Sequence, residues 1–510
     1  SIPFIKPDLN FFKYKLLPKS HSYLNMNLFE KNLSEADNLK KIKFKRILPI
    51  NYDLKPTKKV VCELINNKGS VYGYLYFNHA FLLFISDNNN DPRNEKINNN
   101  NFNEEQEEFY LYSYFLQERL KSKKKYVIMY YYEIKEIFIR RFCLNYIGYE
   151  IFMKDNRSHL FNFFNKNNLK KFLQIMSEKL ETLYINKTSN PNNIMAYSNN
   201  DNIASLPILN FNISNDINFC VINDPVTIFE KNGYKMKYQK GEINNFRYLL
   251  LVNKYASRTY NDNSQYLVFP LLIMDLSKRK IRDLSKAICL NKEDDGENEA
   301  VFRENFLAAG NHFNSHYSTS AYLLYYLVRL NPFTFGQIKF QSGHFDIPQR
   351  IFSSLSNYLS ALSFSNENRE LCPELFYIYE AFINLNHNNL GLIESEKIII
   401  NDFDTNDECG IFEFIINMRQ LLEKLNINPW IDNIFGCNQI NKSDDLINIF
   451  PLSSYEQFNN FEEIKKKLEK KGTSKKDIIT QIKSNICLLS LGISPAQLFK
   501  LSHPMKLNKS

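Results

Sequence analysis

Glycine is scarce in this chain, 14 of 510 residues, and neither G-x-x-x-x-G-K-[ST] nor G-x-G-x-x-G occurs. Those loops bring backbone N–H groups onto phosphates, so their absence removes the common nucleotide-binding classes. The low glycine count, with the excess of Asn, Lys and Ile, reads as a coding bias and carries no chemistry. Eight cysteines (Cys62, Cys143, Cys220, Cys289, Cys372, Cys409, Cys437 and Cys487) are scattered without a single C-x-x-C pair. That pattern argues for free, mostly buried thiols in a reducing compartment and against disulfides or structural zinc. No apolar run approaches the ~18 residues of a membrane span. The opening SIPFIKPDLNFFKYKLLPKS has no apolar stretch with a small-residue cleavage site and does not read as a signal peptide. The chain starts at Ser1, not Met, and is expected to be a piece of something longer. Zinc-finger spacing, RNA-recognition motifs and basic reading helices are all missing, so no nucleic-acid partner is expected.

What is present is ordinary for globular protein: 44% hydrophobic and 15% aromatic residues, enough for a sizeable core. At ~150 residues per domain the length fits about three domains, or two large ones. The net charge of +9 is modest for this length. Lysines cluster at Lys121 to Lys125, Lys465 to Lys467, Lys470–Lys471 and Lys475–Lys476. These runs read as solvated helix faces and loops. Weak attraction to an anionic membrane surface is the second reading.

Between Lys59 and Phe164 the hydrophobic period is two, the period of strands. Val71, Gly73, Leu75 and Phe77 alternate with Tyr72, Tyr74 and Tyr76. Val60–Ile65, Ala80–Ile85, Tyr126–Tyr132, Ile134–Arg141, Ile147–Ile151 and His159–Phe164 also read as strands. The period then changes: Leu169, Phe172, Leu173, Met176 and Leu180 share one helical face, with Asn167 or Asn168 as the expected N-cap. Asp87 to Phe109 is polar and repetitive and predicts a disordered insertion. Residues 185–206 read as a polar linker. Helical stripes follow. The apolar run Ala321 to Leu330 predicts a buried helix between two polar clusters. Ile351, Leu355, Tyr358, Leu359 and Leu362 form one stripe, with Pro348 in its first turn. Ile411, Phe414, Ile415, Met418, Leu421, Leu422 and Leu425 form another. Ile478, Ile482, Ile486 and Leu489 form a third, from a near capping box at Ser474 to a stop at Gly492, and Ser494–Pro495 read as the cap of a short final helix.

Three constellations invite a chemical reading. His312 and His316 at i, i+4 spacing would place two imidazoles on one helix face, with His344 or Asp346 as a third metal ligand. A zincin also needs a glutamate beside the first His, and Phe313 stands there. Ser318 or Ser342 with His344 and Asp346 would make a hydrolase triad. No G-x-S-x-G elbow exists, and His344 and Asp346 are too close in sequence to be oriented independently. The favoured reading has His316 and His344 donating to backbone carbonyls and Asp346 capping the next helix. In RTYNDNSQY, Arg258 with Tyr260, Asp262, Gln265 and Tyr266 could bind phosphate; a buried arginine instead needs an acid or several carbonyls around it. Trp430, the only tryptophan, reads as a core anchor, and Gly436 as the residue of a tight turn.

One family carries these segments in order. HYSTSAYLLYYLVRLNPFT, containing His316, Tyr317 and Ser318, and QSGHFDIPQRIF, containing Gly343, Phe345 and Asp346, resemble the central signature of BEACH domains. GEINNFRYLLLVNKYASRTYNDNSQYLVFP, containing Asn245, Phe246 and Pro270, resembles their opening, and RDLSKAI follows as in the family. Downstream, PELFYIYEAFINLNHNNLG, WIDNIFGCNQ (with Asp432, Phe435 and Gln439), LINIFPLSSYE and SPAQLFKLSHP complete the match. The strand-and-helix region before it resembles the pleckstrin-homology (PH)-like domain that precedes BEACH domains in neurobeachin-type scaffolds.

The resemblance implies an internal hydrogen-bond knot in RTYNDNSQY, the favoured reading over a phosphate site, and an α+β chain. An N-terminal extension (1–40) leads to a PH-like β-barrel with a C-terminal helix (41–184, insertion 87–109). A linker (185–206) precedes a mainly α-helical BEACH domain with an irregular core (207–510). It implies a non-enzymatic scaffold without cofactor or metal, acting in membrane trafficking, vesicle or lysosome dynamics or autophagy. Protein partners would bind at the PH–BEACH cleft, with Arg140, Arg141 and Glu150 at the interface between the two domains. Peripheral, indirect attachment to endomembranes from the cytoplasm and WD40 repeats further along the full-length chain are also implied. The alternative is a metal- or triad-dependent hydrolase using His316, His344 and Asp346. PH domains that bind phosphoinositides array several basic residues around the first hairpin. Asn66–Ser70 offers only Lys68, so tight headgroup binding is not expected. Departures from the family pattern are Leu271 where an aromatic is usual, Tyr358 near an expected tryptophan, and NDFDTNDECG in place of a proline–tryptophan motif.

Overall fold

A computed structural model describes residues 58–78, 81–87, 126–142, 145–185, 209–210, 220–221, 225–275, 280–286, 288, 320–340, 351–352, 369–385, 408–439, 450 and 493–506. Seven antiparallel strands come first: β1 (Lys58–Asn66), β2 (Gly69–Phe77), β3 (Phe81–Ser86), β4 (Tyr126–Tyr130), β5 (Ile134–Phe142), β6 (Asn145–Met153) and β7 (Ser158–Asn162). The period-two segments of the sequence coincide with them, except that Ala80 lies outside the described residues, Tyr131 and Tyr132 fall in a 3-10 turn, and Phe163 and Phe164 follow β7. β1 and β2 join through the two-residue turn Asn67–Lys68, with Asn66 paired to Gly69. Gly69 sits at φ 130°, where a side chain is strained.

The order across the sheet is β4-β3-β2-β1-β7-β6-β5. The sheet is open, not the closed barrel expected from the sequence. Closure needs a ladder between the end strands. Here a single 3-10 turn, Tyr131–Glu133, carries the chain from β4 straight into β5, and among the described residues those strands pair only with β3 and β6. Helix α1 (Lys166–Ile185) fills the concave side instead. Its Leu169, Phe172, Leu173 and Met176 pack with Cys62, Leu75, Phe84, Met129, Ile137, Ile139, Tyr149 and Phe161 in one core. Burying a ring such as Phe172 stabilises by about 1.5–3 kcal/mol. The cap of α1 is Asn165, whose Oδ1 accepts the Asn168 N–H at 2.8 Å. Asn167 and Asn168, the expected caps, already lie inside the first turn.

After the short strands β8 (Leu209–Asn210) and β9 (Cys220–Val221) the chain is helical: α2 (Pro225–Lys231), α3 (Tyr234–Gln239), α4 (Asn245–Tyr255), α5 (Ser320–Tyr326), α6 (Phe333–Phe340), α7 (Glu408–Lys424) and α8 (Asn428–Ile434). A small ladder joins β10 (Ile273–Asp275) to β11 (Lys280–Ile281). α5 is shorter than the apolar run that announced it, ending at Tyr326, with Leu323, Leu324 and Tyr326 buried. α7 buries Ile411, Phe414, Ile415, Met418 and Leu422, the stripe read from the sequence. Between helices, side chains replace the missing ladders. Buried Asn253 donates to the carbonyls of Leu249 and Val268, both at 2.9 Å, and its Oδ1 accepts the Val268 N–H. An irregular buried backbone is tolerated because such amides pair its polar groups. The expected insertion beyond Asp87, the linker beyond Ile185 and the stripes at 353–362 and 478–489 lie outside the described residues.

Candidate interaction site at the sheet–helix junction

β5 is an edge strand, and the helical part covers that edge: β9 lies beside it. Strand alternation divides its side chains. Ile137 and Ile139 point into the core beneath the sheet, whereas Phe138 belongs to the core of the helical part. The Phe138 ring meets Phe152 and Tyr255 edge-on at 5.6 and 5.3 Å. Lys254, on α4, ion-pairs with Glu136, and its Nζ lies 4.2 Å over the Phe152 ring. Burial pulls the Lys254 ammonium below its ordinary value, against the opposing pull of Glu136.

Arg140 on β5 and Glu150 on β6 pair diagonally across the ladder, their direct partners being Gly148 and Phe138. Arg140 Nε donates to Glu150 Oε2 at 2.8 Å, and both side chains are almost fully buried. Neither part alone satisfies this pair. Arg140 Nη1 donates to the Lys254 carbonyl at 2.9 Å. Glu150 Oε1 accepts from Thr259 Oγ1 at 2.7 Å, Asn261 Nδ2 at 3.0 Å and Ser158 Oγ at 2.8 Å. A buried ion pair is tolerable only when its remaining donors and acceptors are met; the helical part supplies partners to Glu150 Oε1 and Arg140 Nη1, while Arg140 Nη2 has none among the described residues.

Consecutive strand residues should face opposite ways, yet Arg141 also reaches the helical part. The ladder register shifts between Arg140 and Phe142, which breaks the alternation. Arg141 Nη2 donates to the Ser494 carbonyl at 2.6 Å, and its own carbonyl accepts from Gln265 Nε2 at 2.8 Å. Asp262 holds Gln265 in place: Oδ2 accepts the same amide at 2.9 Å, and Oδ1 caps the 3-10 turn at Ser264 N. Arg258 leaves this group and donates to the Ile493 carbonyl at 2.7 Å. Tyr260 meets Tyr266 edge-on, and Tyr266 donates to Glu374 at 2.7 Å. Asn263 Nδ2 reaches the Asn67 carbonyl at 3.2 Å, so the tip of the first hairpin also touches the helical part.

Deeper in, Trp430 donates to Glu370 Oε1 at 2.9 Å, and Arg282 Nη1 holds both oxygens of the same carboxylate at 2.9 Å. Trp430 is 1% exposed. Phe435 packs on it at 5.7 Å, and Pro270 is buried nearby in sequence to Leu271, whose N–H donates to Glu370. A Cβ on Gly436 would lie 2.7 Å from Asp432 Cα, so the turn after α8 requires glycine. Gln439 Nε2 donates to the carbonyls of Ile434 and Pro495. Asn245 Nδ2 donates to the Leu422 and Leu425 carbonyls, while Glu423 accepts the N–H groups of Asn245 and Phe246 in the first turn of α4, whose cap is Asn244.

His312, His316, Tyr317, Ser318, Ser342, Gly343, His344, Phe345 and Asp346 lie outside the described residues. Among the described residues no cluster of His, Cys, Asp or Glu has the makings of a metal site. Sequence reasoning missed Glu136, Phe138, Lys254, Thr259, Asn261 and Glu370. Phe138 could have been found: alternation puts it out of phase with Ile137 and Ile139, on a face that should otherwise be polar.

Residues 236–506 match the Beige/BEACH domain family, and residues 62–177 match the PH domain associated with Beige/BEACH. The chain is 29% identical over 404 residues to BEACH domain-containing protein lvsD of Dictyostelium discoideum, covering 74% of this chain and 13% of that protein. It is 28% identical over 398 residues to Beige protein homolog 1 of Schizosaccharomyces pombe, covering 72% of this chain and 14% of that protein. With lvsE of Dictyostelium discoideum it shares 34% identity over 309 residues, 55% of this chain and 13% of that protein. The chain thus spans about one seventh of the length of these relatives. Both domains stand in family order, the larger over more than half of the chain: this is a member of the BEACH domain family, with its associated PH domain in front.

Proposed function

We propose that this PH–BEACH pair is a non-catalytic scaffold module. It binds protein partners on the surface its two parts share, in membrane trafficking, vesicle or lysosome dynamics or autophagy. The observation that carries this reading is the saturation of Glu150: one strand carboxylate takes donors from both parts. Polar groups that hold one another leave a stiff joint, and a stiff joint presents one continuous surface to a partner. The module acts from the cytoplasm, attached to endomembranes through proteins, with WD40 repeats further along the full-length chain.

Flotation tests this. The purified chain is mixed with protein-free vesicles of phosphatidylcholine, phosphatidylserine and phosphoinositide, and in parallel with endomembranes before and after trypsin treatment. Binding to untreated endomembranes, lost after trypsin and absent on vesicles, is the expected result. Equal binding to bare vesicles would overturn recruitment by protein.

A further inference from the structure

His503 is buried in a segment, Ile493 to Lys506, that has no regular structure, not the short helix expected after Ser494–Pro495, and straps the helical part. Main-chain bonds hold the strap. Ala496 N donates to the Ala256 carbonyl, Leu498 N and Phe499 N to the Phe435 carbonyl, and His503 N to Asp432 Oδ1 at 2.8 Å. At its other end the same strap supplies the Ile493 and Ser494 carbonyls that receive Arg258 and Arg141. Strap and sheet–helix junction are therefore continuous.

The His503 site suits a neutral ring only. Nε2 shares a hydrogen bond of 2.8 Å with the Tyr248 hydroxyl, and buried Nδ1 has no partner among the described residues. A protonated imidazole must donate from both nitrogens, so one charged N–H would be left unpaired. The titratable groups around it offer no relief. Tyr238 and Tyr248 stack at 4.0 Å beside the ring, and Phe499 covers it at 4.7 Å. Lys235 acts on His503 as a like charge, and Lys506 stands over Tyr238. Asp432 is engaged by the His503 main chain, and Glu423 by the α4 N-terminus. Burial, then Lys235, holds the imidazole down to about 3.

We propose that His503 is a proton-sensitive latch: acidification releases the strap from the helical core and, with it, the carbonyls that anchor Arg141 and Arg258, loosening the joint between sheet and helices. A released strap binds a proton at the ordinary histidine value of about 6.5, so the open fraction rises about tenfold at pH 5.5 relative to pH 7.5. Local opening of this kind leaves the rest of the fold in place.

Hydrogen exchange by mass spectrometry on the intact chain tests the latch, with rates corrected for intrinsic exchange. Peptides covering 494–503 should lose about tenfold protection between pH 7.5 and 5.5, with peptides over β5 moving in step, and His503→Gln should abolish the pH dependence. Strap protection that ignores pH, or an identical loss in H503Q, overturns the proposal. A second measurement needs no variant: exchange at the imidazole C2 position reports ring protonation in the wild-type chain. A midpoint for His503 well below 6.5 is expected, and one at the ordinary value overturns the proposal.

Discussion

Glu150 on the sheet accepts the Thr259 hydroxyl of the helical part at 2.7 Å, 109 residues away in sequence. Around that bond the two parts exchange what each lacks. The sheet brings a buried ion pair with unmet hydrogen-bonding capacity. The helical part brings a carbonyl, a hydroxyl and an amide.

Removing one member of the pair should therefore be far worse than removing both. Glu150→Ala leaves Arg140 charged and buried, at a cost of about 3–5 kcal/mol, whereas Arg140→Met with Glu150→Leu should recover much of the loss. Urea unfolding followed by circular dichroism measures both. A double variant no more stable than the single one would contradict this account of the pair.

Neighbouring residues on β5 should fail differently. Phe138→Ala removes a ring from the helical core, and Ile137→Ala removes a side chain from the sheet's own core, each costing roughly 2–5 kcal/mol. Limited proteolysis should find F138A cut between the parts with the sheet intact, and I137A cut within the sheet. Identical digestion patterns would mean that β5 does not divide its faces between two cores.

The strands were legible because half-buried sheets write period two into their residues; Val71, Leu75 and Phe77 against Tyr72, Tyr74 and Tyr76 needed no further information. The open edge was not legible. Closure depends on where β4 and β5 finish in space, and the pattern within either strand is the same in both cases. In the junction, motif residues such as Arg258 and Asp262 were visible, but their partners were not. Arg258 reaches Ile493 and Asp262 reaches Gln265, and the first of those contacts spans 235 residues. Glu370 stayed hidden for the same reason: its partners Arg282 and Trp430 come from 88 and 60 residues away.

Trp430→Phe should cost about 1–3 kcal/mol, since Glu370 loses a buried donor while keeping Arg282 and the Leu271 N–H. The variant has no tryptophan, so far-UV circular dichroism in urea is the suitable readout. An unchanged midpoint would remove the Trp430 hydrogen bond from the account of core stability.

Gly436→Ala places a methyl 2.7 Å from Asp432 Cα and 3.0 Å from its carbonyl oxygen, both backbone atoms. The α8 turn has to shift, at a cost of about 1–3 kcal/mol. Calorimetry should show a lower melting temperature for G436A, with the circular-dichroism spectrum retained. A melting temperature equal to wild type would show that the turn yields without strain.

An edge strand with bare N–H and C=O groups invites ladders with foreign chains. β5 would be such a strand in an isolated PH-like fragment, because β9 and the Phe138 pocket both belong to the part that would have been cut away. Recombinant versions ending soon after α1 would carry an adhesive rim, and their tendency to clump would come from the missing half of the chain.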